Sequence, residues 1–193
     1  MNVYDFDKTL YRHDSSTDFV RYLMRKKPAL LRFLPRIAGA ALGHYVFHRL
    51  TKTQMKAHFF SLFAALPEGA APLAEAFWAE HKDGLAAWYK KQHRPGDLII
   101  SASPRFLLEP VCRELGVTRL IASEVDPLSG RFDGGNCHGA EKLRRFREEY
   151  PGEKIEKFYS DSHSDDPLAA AAEKAFLVRP QERLTPWPRE VQS

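Results

Sequence analysis

The segment NVYDFDKT, residues 2–9, opens with an apolar stretch and ends with polar and acidic residues. We predict a buried strand over residues 2–6, because a short apolar run bounded by polar residues is typical of one. Side chains two apart on an extended chain point the same way, so Asp5 and Asp7 should emerge together while Phe6 turns into the core. Two carboxylates are therefore expected at the carboxyl end of the first strand.

The rest of the chain alternates between strand and helix patterns. Strands are predicted at residues 97–102, 117–123, 157–159 and 175–178, and helices at residues 104–115, 139–149 and 167–174. Residues 124–136 suggest a surface hairpin, and the tail from Arg179 is either an ordered wrap or a frayed end. This alternation predicts an α/β protein with a doubly wound, Rossmann-like parallel sheet, in which ligands bind beyond the carboxyl ends of the strands.

A long helical region interrupts the alternation directly after the first strand, over roughly residues 16–91. We therefore expect an inserted all-helical cap at residues 14–92. The α/β core would be formed by residues 1–13 and 93–193. In this arrangement the cap roofs the crevice at the strand ends.

Length and composition indicate one soluble catalytic unit. A chain of 193 residues, 44% hydrophobic and 28% charged, argues against disorder and against a fibrous array. Cys112 and Cys137 lie outside any zinc-ligand or disulfide pattern, and the acidic first residues lack the features of a signal peptide. These features favour a reducing, cytoplasmic location.

Charge is unevenly distributed along the chain. Residues 19–67 contain nine Lys or Arg residues and no Asp or Glu. The remaining residues carry 20 basic and 25 acidic side chains, a net charge of −5. The predicted cap is therefore basic and the core acidic, which favours an anionic substrate or surface as the partner of the cap.

Asp5 and Asp7 are candidates for a nucleophile and an acid that act together. A bound divalent cation would keep Asp5 ionised, while like-charge repulsion would help Asp7 to hold a proton. The alternative is that the two acids only form a polar turn after a strand.

Further candidates follow in order, each at a strand end or in the next helix. Ser101, in LIISAS, could donate a hydrogen bond to a phosphoryl oxygen or could cap a helix. Lys142 could carry a positive charge inward or could be a solvated helix residue. Asp161 and Asp165, in YSDSHSDDPL, suit a hard cation that keeps several of its waters.

Together DFDKT, Ser101, Lys142 and DSHSD resemble the four motifs of the haloacid dehalogenase (HAD) superfamily, in their order and over nearly the whole chain. The helical insertion makes the chain most similar to the phosphoserine-phosphatase-like branch, subfamily IB, which has a helical C1 cap. The dehalogenases of this superfamily lack the second acid of the first motif. Asp7 therefore favours phosphoryl transfer.

This resemblance implies a phosphatase that acts through an aspartyl-phosphate. Asp5 would attack phosphorus, and Asp7 would protonate the leaving alcohol and then activate the hydrolytic water. Ser101 and Lys142 would stabilise the phosphoryl oxygens.

The same resemblance implies a Mg²⁺ site. Mg²⁺ would bind the Asp5 side chain, the main-chain carbonyl of Asp7, Asp161 and waters. Asp165 would not bind the metal directly. It would order the waters around the metal or the side chain of Lys142.

Four residues are candidates for substrate contacts by this resemblance: Thr9, Asp14, Ala102 and Phe59. In phosphoserine-specific enzymes an acid after the first motif binds the substrate amine, and Asp14 stands at its place. A cap Arg clamps the substrate carboxylate in those enzymes. The gapless match of LTKTQMKAHFFSLFAALP, residues 50–67, puts Phe59 at that position, which argues against a simple amino-acid clamp.

Around the cap the chain is also similar to phosphatidylglycerophosphatase C, which has a basic, apolar segment after the first motif. Beyond the cap it shares an EK pair like Glu141-Lys142 and a YSDS run like residues 159–162. That similarity implies a lipid-linked phosphate as an alternative substrate. Residues 28–50 are too interrupted by charges for a membrane-spanning helix. Two possibilities stay open for them: an interfacial helix in peripheral contact with an anionic membrane, on its inner face, or a helix packed on the rest of the cap.

Two other functions match parts of the pattern. Receiver modules of signalling proteins share a phospho-accepting Asp, a Ser or Thr, a Lys and a metal, but they are shorter and lack the cap and the second acid. Nucleic-acid binding would rest only on the basic segment, which contains no recognisable binding motif. We therefore predict an enzyme that takes a small-molecule or lipid-linked phosphate ester, with no nucleic-acid partner.

Overall fold

The structure is a computed structural model that describes residues 1–188. Its centre is a six-stranded sheet with the strand order β3-β2-β1-β4-β5-β6. The strands are β1 (Asn2–Tyr4), β2 (Leu98–Pro104), β3 (Arg119–Ser123), β4 (Ile155–Ser160), β5 (Ala172–Arg179) and β6 (Arg183–Pro186). The first five are parallel, and β6 runs antiparallel to β5. The predicted doubly wound α/β fold is confirmed.

Most of the helices lie in the insertion between β1 and β2. They are α1 (Ser15–Lys26), α2 (Leu34–Tyr45), α3 (Lys52–Phe60), α4 (Pro72–His81) and α5 (Ala87–Gln92), and the later helices are α6 (Arg105–Glu114), α7 (Ala140–Glu149) and α8 (Asp166–Ala171). Short 3₁₀ segments, such as Pro28–Phe33 and Ser61–Ala65, link the helices of the insertion. Within residues 1–188 no helix has the length and apolar character that a membrane span requires.

Both faces of the sheet are buried. Successive residues of β1 and β2 belong to different apolar clusters: Val3 and Leu98 pack on one face, whereas Tyr4 and Ile99 pack on the other. Burial on both faces explains why β2 is a continuous apolar run rather than an alternating one. The short β1 is thereby fixed at the centre of the sheet, with its carboxyl end beside those of its parallel neighbours.

The last helices of the insertion pack on one face of the sheet. Trp78 of α4 donates its indole N–H to the Leu107 carbonyl over 2.6 Å, and its ring lies edge-on to Phe6, with the centroids 5.6 Å apart. The ring of Trp88 in α5 lies 5.4 Å from that of Tyr159. These contacts hold the start of the chain in place, including Phe6, which lies between Asp5 and Asp7.

One helix prediction near the end of the chain is partly wrong. The helix predicted at residues 167–174 ends at Ala171, and the next three residues begin β5. They pair with β4, where Ala172 lies opposite Ile155. This tertiary pairing overrides the helix propensity of the alanine-rich run.

The tail forms a sixth strand that the sequence analysis did not predict. β6 pairs with β5, and Thr185 lies opposite Leu177. Pro186 is tolerated there because it ends an edge strand. Of the two predictions for the tail, the ordered one is therefore correct for residues 180–188. Residues 189–193 lie outside the described residues.

Candidate active site

Asp5 lies in a buried group of charges at the end of β1. Its backbone N–H donates to the Tyr159 carbonyl over 2.9 Å, which extends the pairing with β4 by one residue. Its carboxylate oxygen Oδ1 accepts from Lys142 Nζ at 2.6 Å, and the same ammonium donates to Asp165 Oδ2 at 2.8 Å. The Ser160 hydroxyl also donates to Asp165 Oδ2 at 2.8 Å. Three candidates from separate motifs are thus in direct contact.

Lys142 reaches this group because of how α7 begins. Gly139, the residue before α7, has a φ of 63°, a conformation that favours glycine. A Cβ at this position would lie 3.4 Å from the Ser164 carbonyl oxygen, so the helix start packs closely against the turn that carries Asp165. The Lys142 side chain is consequently 4% exposed and points inward rather than into solvent.

We refer to Asp5, Lys142, Asp161 and Asp165 as the charge cluster, because their charges influence each other. Burial raises the pKa of Asp5, Lys142 opposes this, and Asp165 and Asp161 raise it further. Burial alone would lower the pKa of Lys142, but the neighbouring carboxylates of Asp5 and Asp165 raise it. One ammonium group therefore faces three carboxylates, and the charge cluster carries surplus negative charge.

The surplus negative charge fits a divalent cation. Burial raises the pKa of Asp161, which follows β4, while Lys8 opposes the shift. Asp165 Oδ1 is buried and has no hydrogen-bond partner. Within residues 1–188 no three His, Cys, Asp or Glu side chains make a metal site on their own. This arrangement suits Mg²⁺, which takes one or two carboxylates and completes its shell with water and other oxygens.

Asp7 has a different set of partners from Asp5. Its Oδ1 accepts from the Ser15 N–H at 2.7 Å, and its Oδ2 accepts from the Ser103 hydroxyl at 2.6 Å. Burial raises the pKa of Asp7, and the Asp14 carboxylate raises it further. The proton expected on Asp7 is thus favoured by burial and Asp14, whereas the sequence analysis attributed it to repulsion by Asp5.

A serine network lies beside Asp7. The Ser103 hydroxyl lies 3.0 Å from that of Ser15 and 2.8 Å from that of Ser16. Ser101 is fully buried, and its Oγ accepts from the Ser103 N–H at 3.1 Å, which leaves its own proton free for another acceptor. Ser103 was not among the site residues predicted from the sequence. Its spacing of two from Ser101 on a strand was the available signal, because such side chains share a face.

Two of the four candidate substrate residues lie close to the acids. The Thr9 hydroxyl donates to Asp5 Oδ2 over 3.4 Å. Asp14 caps α1 by accepting from the Thr17 N–H at 2.8 Å. Asp14 is therefore held at the start of the insertion, within electrostatic range of Asp7.

The other two candidate substrate residues differ from each other. The Ala102 carbonyl, in β2, accepts a hydrogen bond from Lys56 Nζ of α3 at 2.9 Å. Phe59 instead packs against the apolar core, with its ring 5.9 Å from that of Phe60. On α3, Lys56 thus contacts the strand that carries Ser101, whereas Phe59 contacts the apolar core.

The direction of the lysines on α3 was not predicted from the sequence. Lys52 and Lys56 were counted only among the nine basic residues of the insertion. Lys52 Nζ lies 2.7 Å from Nε2 of His138, in the loop before α7. No sequence motif marks this pair, because it depends on how α3 is placed over the core.

A cavity of about 730 Å³ borders the charge cluster on the side of the loop after β1. Lys8, Thr9 and Asp161 lie on its wall. Arg12 and Glu182, which form an ion pair at 2.8 Å, also line this cavity. Because Thr9 contacts Asp5 and also lines the cavity, this space reaches the edge of the site.

Comparison with known proteins shows which family has this fold and order of motifs. The haloacid dehalogenase-like hydrolase family matches residues 3–170. The chain belongs to this family. The match includes β1 to β4, the helical insertion and the whole charge cluster, so the HAD-like hydrolase fold accounts for how the separated acids come together.

Two relatives and one solved structure refine this assignment. Protein CicA from Caulobacter vibrioides is 32% identical, over 91% of this chain and 85% of the relative. A histidinol-phosphatase from Neisseria meningitidis is 26% identical, over 94% and 91%. A phosphoserine phosphohydrolase-like protein from Francisella tularensis shares the fold, with a TM-score of 0.62 at 19% identity, over 91% and 86%. The chain is thus a HAD-like hydrolase with a phosphatase relative and a phosphoserine-phosphatase-like fold, as the motifs predicted.

Proposed function

We propose that this HAD-like hydrolase cleaves phosphate monoesters with Mg²⁺, through a phosphorylated Asp5. The observation that carries the proposal is the buried contact between Asp5 and Lys142 at 2.6 Å, near a second acid, Asp7, that is fixed by two hydrogen bonds. A carboxylate beside an ammonium group can attack a phosphorus whose oxygens that ammonium also binds. The phosphatase among the relatives supports the same class of reaction.

In the first step an Asp5 oxygen attacks phosphorus and forms a P–O bond while the bond to the ester oxygen breaks. The leaving alkoxide takes a proton from Asp7, whose pKa is raised by burial and by Asp14. In the second step the ionised Asp7 removes a proton from water. The water oxygen then displaces Asp5 from phosphorus, which releases phosphate and restores the carboxylate.

Lys142 and Ser101 are proposed to hold the transferring phosphoryl group. Lys142 Nζ brings a permanent positive charge, and Asp165 keeps it in position through the 2.8 Å hydrogen bond. Ser101 can donate its hydroxyl proton because its oxygen already accepts from the Ser103 N–H. Both groups act in a buried site, where such interactions are stronger than in water.

The proposed metal ligands are the Asp5 carboxylate, the main-chain oxygen of Asp7 and the Asp161 carboxylate. When bound, Mg²⁺ supplies positive charge that offsets the repulsion between an anionic nucleophile and an anionic phosphoryl group. The surplus negative charge of the charge cluster supports this assignment.

We also propose that residues 14–92 act as a cap over a core of residues 1–13 and 93–193. The hydrogen bond from Lys56 to the Ala102 carbonyl supports this division, because it joins α3 to the strand that carries Ser101. A cap in this position would exclude water from the phosphorylated Asp5 until the leaving group has departed.

A panel of phosphate esters tests the function. We expect Mg²⁺-dependent hydrolysis of at least one ester among p-nitrophenyl phosphate, phosphoserine, histidinol phosphate, nucleotides and sugar phosphates. Acid quenching followed by peptide mass spectrometry should find phosphate on Asp5. Asp133→Asn, in the exposed loop after β3, makes the same chemical change as Asp5→Asn away from the site and is the matched control. Undiminished hydrolysis in Asp5→Asn, or no hydrolysis of any ester, would contradict the proposal.

A lipid-linked phosphate at a membrane surface is the second candidate substrate. Most of the large apolar side chains that are exposed in the described chain lie in one segment: Leu31, Leu34, Leu42, Tyr45, Val46 and Phe47. This segment has no acidic residue and includes Arg32 and Arg36. An exposed surface that is both apolar and basic suits peripheral contact with an anionic inner leaflet. The free, buried thiols of Cys112 and Cys137 support a reducing, cytoplasmic location.

Kinetics on one headgroup with and without its acyl chains test this candidate. If the membrane surface contributes, phosphatidylglycerophosphate in anionic mixed micelles should be hydrolysed with a higher kcat/KM than the same headgroup after deacylation. Equal values for both forms would contradict a lipid-linked substrate and would leave the phosphatase proposal standing.

A further inference from the structure

Two lysines of α3 lie over the site without a carboxylate partner. Lys52 and Lys56 are four residues apart, so they share one face of the helix. Lys56 is 9% exposed, and its Nζ donates to the Ala102 carbonyl. Lys52 lies at the rim, where its Nζ contacts His138. Within residues 1–188 neither ammonium group forms an ion pair, although Lys52 lies in the electrostatic field of Asp14 and Lys56 in that of Asp7 and Asp14.

The partners of both lysines are neutral. Burial lowers the pKa of His138 to about 4, and repulsion by Lys52 adds to the shift. At neutral pH the imidazole is therefore uncharged, and it accepts a hydrogen bond from Lys52 through Nε2. Burial lowers the pKa of Lys52 and of Lys56 as well. Each lysine thus has a hydrogen-bond acceptor but lacks a counter-charge in contact with it.

Lys142 shows how the same protein satisfies a buried ammonium group when its charge is matched. It donates to Asp5 and Asp165 at 2.6 and 2.8 Å. A buried cation without such a partner is unfavourable, because burial removes water and no opposite charge replaces it. An anion placed against Lys56 would remove this deficit, and Lys52, whose side chain is partly exposed at the rim, would add a second positive charge beside it. Lys142 is not available to that anion, because its ammonium group lies between Asp5 and Asp165, where it is proposed to bind the phosphoryl group.

We propose that Lys52, Lys56 and His138 form a subsite for a second anionic group of the substrate, separate from the phosphoryl group that reacts at Asp5. The inference rests on the proposed phosphatase function and names its substrate class. The substrate is a phosphate monoester whose alcohol part carries a carboxylate or a phosphodiester. His138 orients the Lys52 ammonium without neutralising it, so the positive charge stays available.

The position of the subsite limits the size of the substrate. Lys56 is bonded to Ala102, which is the neighbour of Ser101 in β2. The second anion is therefore bound beside the phosphoryl site, and only a short chain of bonds separates it from phosphorus. Lysine presents three donors on a point charge and requires no planar match, so the subsite accepts either a carboxylate or a phosphodiester.

Matched pairs of esters test the subsite. Phosphoserine and phosphoethanolamine differ only in a carboxylate, and deacylated phosphatidylglycerophosphate carries a phosphodiester arm that glycerol 3-phosphate lacks. We expect kcat/KM to be about tenfold higher for the member with the second anion in at least one pair, mainly through KM, as a charged hydrogen bond of ordinary strength implies. The pair that shows the preference distinguishes a carboxylate from a phosphodiester.

Substitutions assign the preference to these residues. In Lys52→Met and in Lys56→Met the ratio of kcat/KM within the preferred pair should fall about tenfold, towards one. Lys52→Arg should restore most of the ratio because the charge is kept. Lys91→Met, an exposed lysine of α5, is the matched control and should leave the ratio unchanged. Lys52 lies at the rim, so its variant remains informative even if Lys56→Met fails to fold.

The possible results separate this inference from the proposed function. A wild-type ratio near one in both pairs, with p-nitrophenyl phosphate still hydrolysed, would overturn the subsite and leave the phosphatase assignment intact. A preference that survives in Lys52→Met and in every folded Lys56 variant would also overturn it. No hydrolysis of any ester would refute the proposed function, and the subsite with it.

Discussion

Lys142 and Lys56 are both buried lysines near the same site, and they are held in opposite ways. Lys142, on α7 of the core, donates to two carboxylates. Lys56, on α3 of the insertion, donates to a main-chain carbonyl. The core side therefore balances its lysine within the chain, whereas the α3 side leaves positive charge available. This difference suggests that the core supplies the chemistry and that α3 selects what is attached to the phosphate.

The largest effect is expected for the nucleophile on the core side. Asp5→Asn should lower kcat by about four decades or more, because an amide cannot attack phosphorus. The loss should be the same for esters with and without a second anion, since the core acts on the phosphoryl group alone. Steady-state kinetics on both members of a matched pair, with Asp133→Asn as control, would measure it. A fall in kcat for only one ester of the pair would contradict the proposal that core residues act on the phosphoryl group and α3 residues on the rest of the substrate.

Removing the divalent metal should have a similarly large effect. Dialysis against EDTA is expected to abolish hydrolysis, and added Mg²⁺ should restore it. Ca²⁺ should inhibit, because its larger and looser shell disturbs the geometry of the in-line transfer. In Asp161→Asn more Mg²⁺ should be needed for half-maximal activity. Full activity in a chelated sample would disprove the role given to Asp161.

Asp7→Asn should reduce the hydrolysis of alkyl phosphates by roughly two to four decades, the usual contribution of a positioned acid or base. The loss should be smaller for p-nitrophenyl phosphate, because p-nitrophenolate leaves readily without a proton. Ser103→Ala should act in the same direction but more weakly, since it removes only one of the two hydrogen bonds that hold Asp7. Equal losses on both kinds of ester would argue against proton donation from Asp7 to the leaving alcohol.

The site residues that the core contributes could be predicted from the sequence because of how parallel sheets are built. Asp5, Ser101 and Asp161 each occur at or near the end of a strand, and neighbouring parallel strands bring those ends to one edge. The order of the motifs then identified the family. The inward direction of Lys142 also depends on Gly139 and on the loop against which α7 begins, which only the structure shows.

Which side chains of α3 lie near the site could not be predicted in the same way. Lys56 and Phe60 are both buried on α3, so a charged and an aromatic residue share the covered part of the helix. Its sequence therefore shows no clear apolar stripe from which the rotation of the helix could be deduced. The alignment places Phe59 at the substrate position, whereas the α3 side chain that contacts the strand carrying Ser101 is Lys56.

The two buried lysines should also differ in their effect on stability. Lys142→Met leaves Asp5 and Asp165 buried without their partner, so the free energy of unfolding should fall by roughly 3–5 kcal/mol. Lys56→Met leaves no carboxylate behind in direct contact and should change it by less than about 1.5 kcal/mol. Urea unfolding of both variants, with Lys91→Met as control, would measure the difference. Equal destabilisation would mean that Lys56 has a charged partner after all.

The smallest effect is expected at the exposed part of the insertion, at residues 31–47. Each basic residue near an anionic surface contributes about 1 kcal/mol, and the apolar side chains beside them add burial, so the protein should sediment with anionic vesicles at low salt and less with neutral ones. Salt should weaken the binding by screening. Replacing Phe47 by Ser should reduce sedimentation, whereas Leu128→Ser, an equally exposed apolar residue outside the segment, should not. Sedimentation that is equal for both vesicle types would show that the positive charge on the insertion serves the substrate alone.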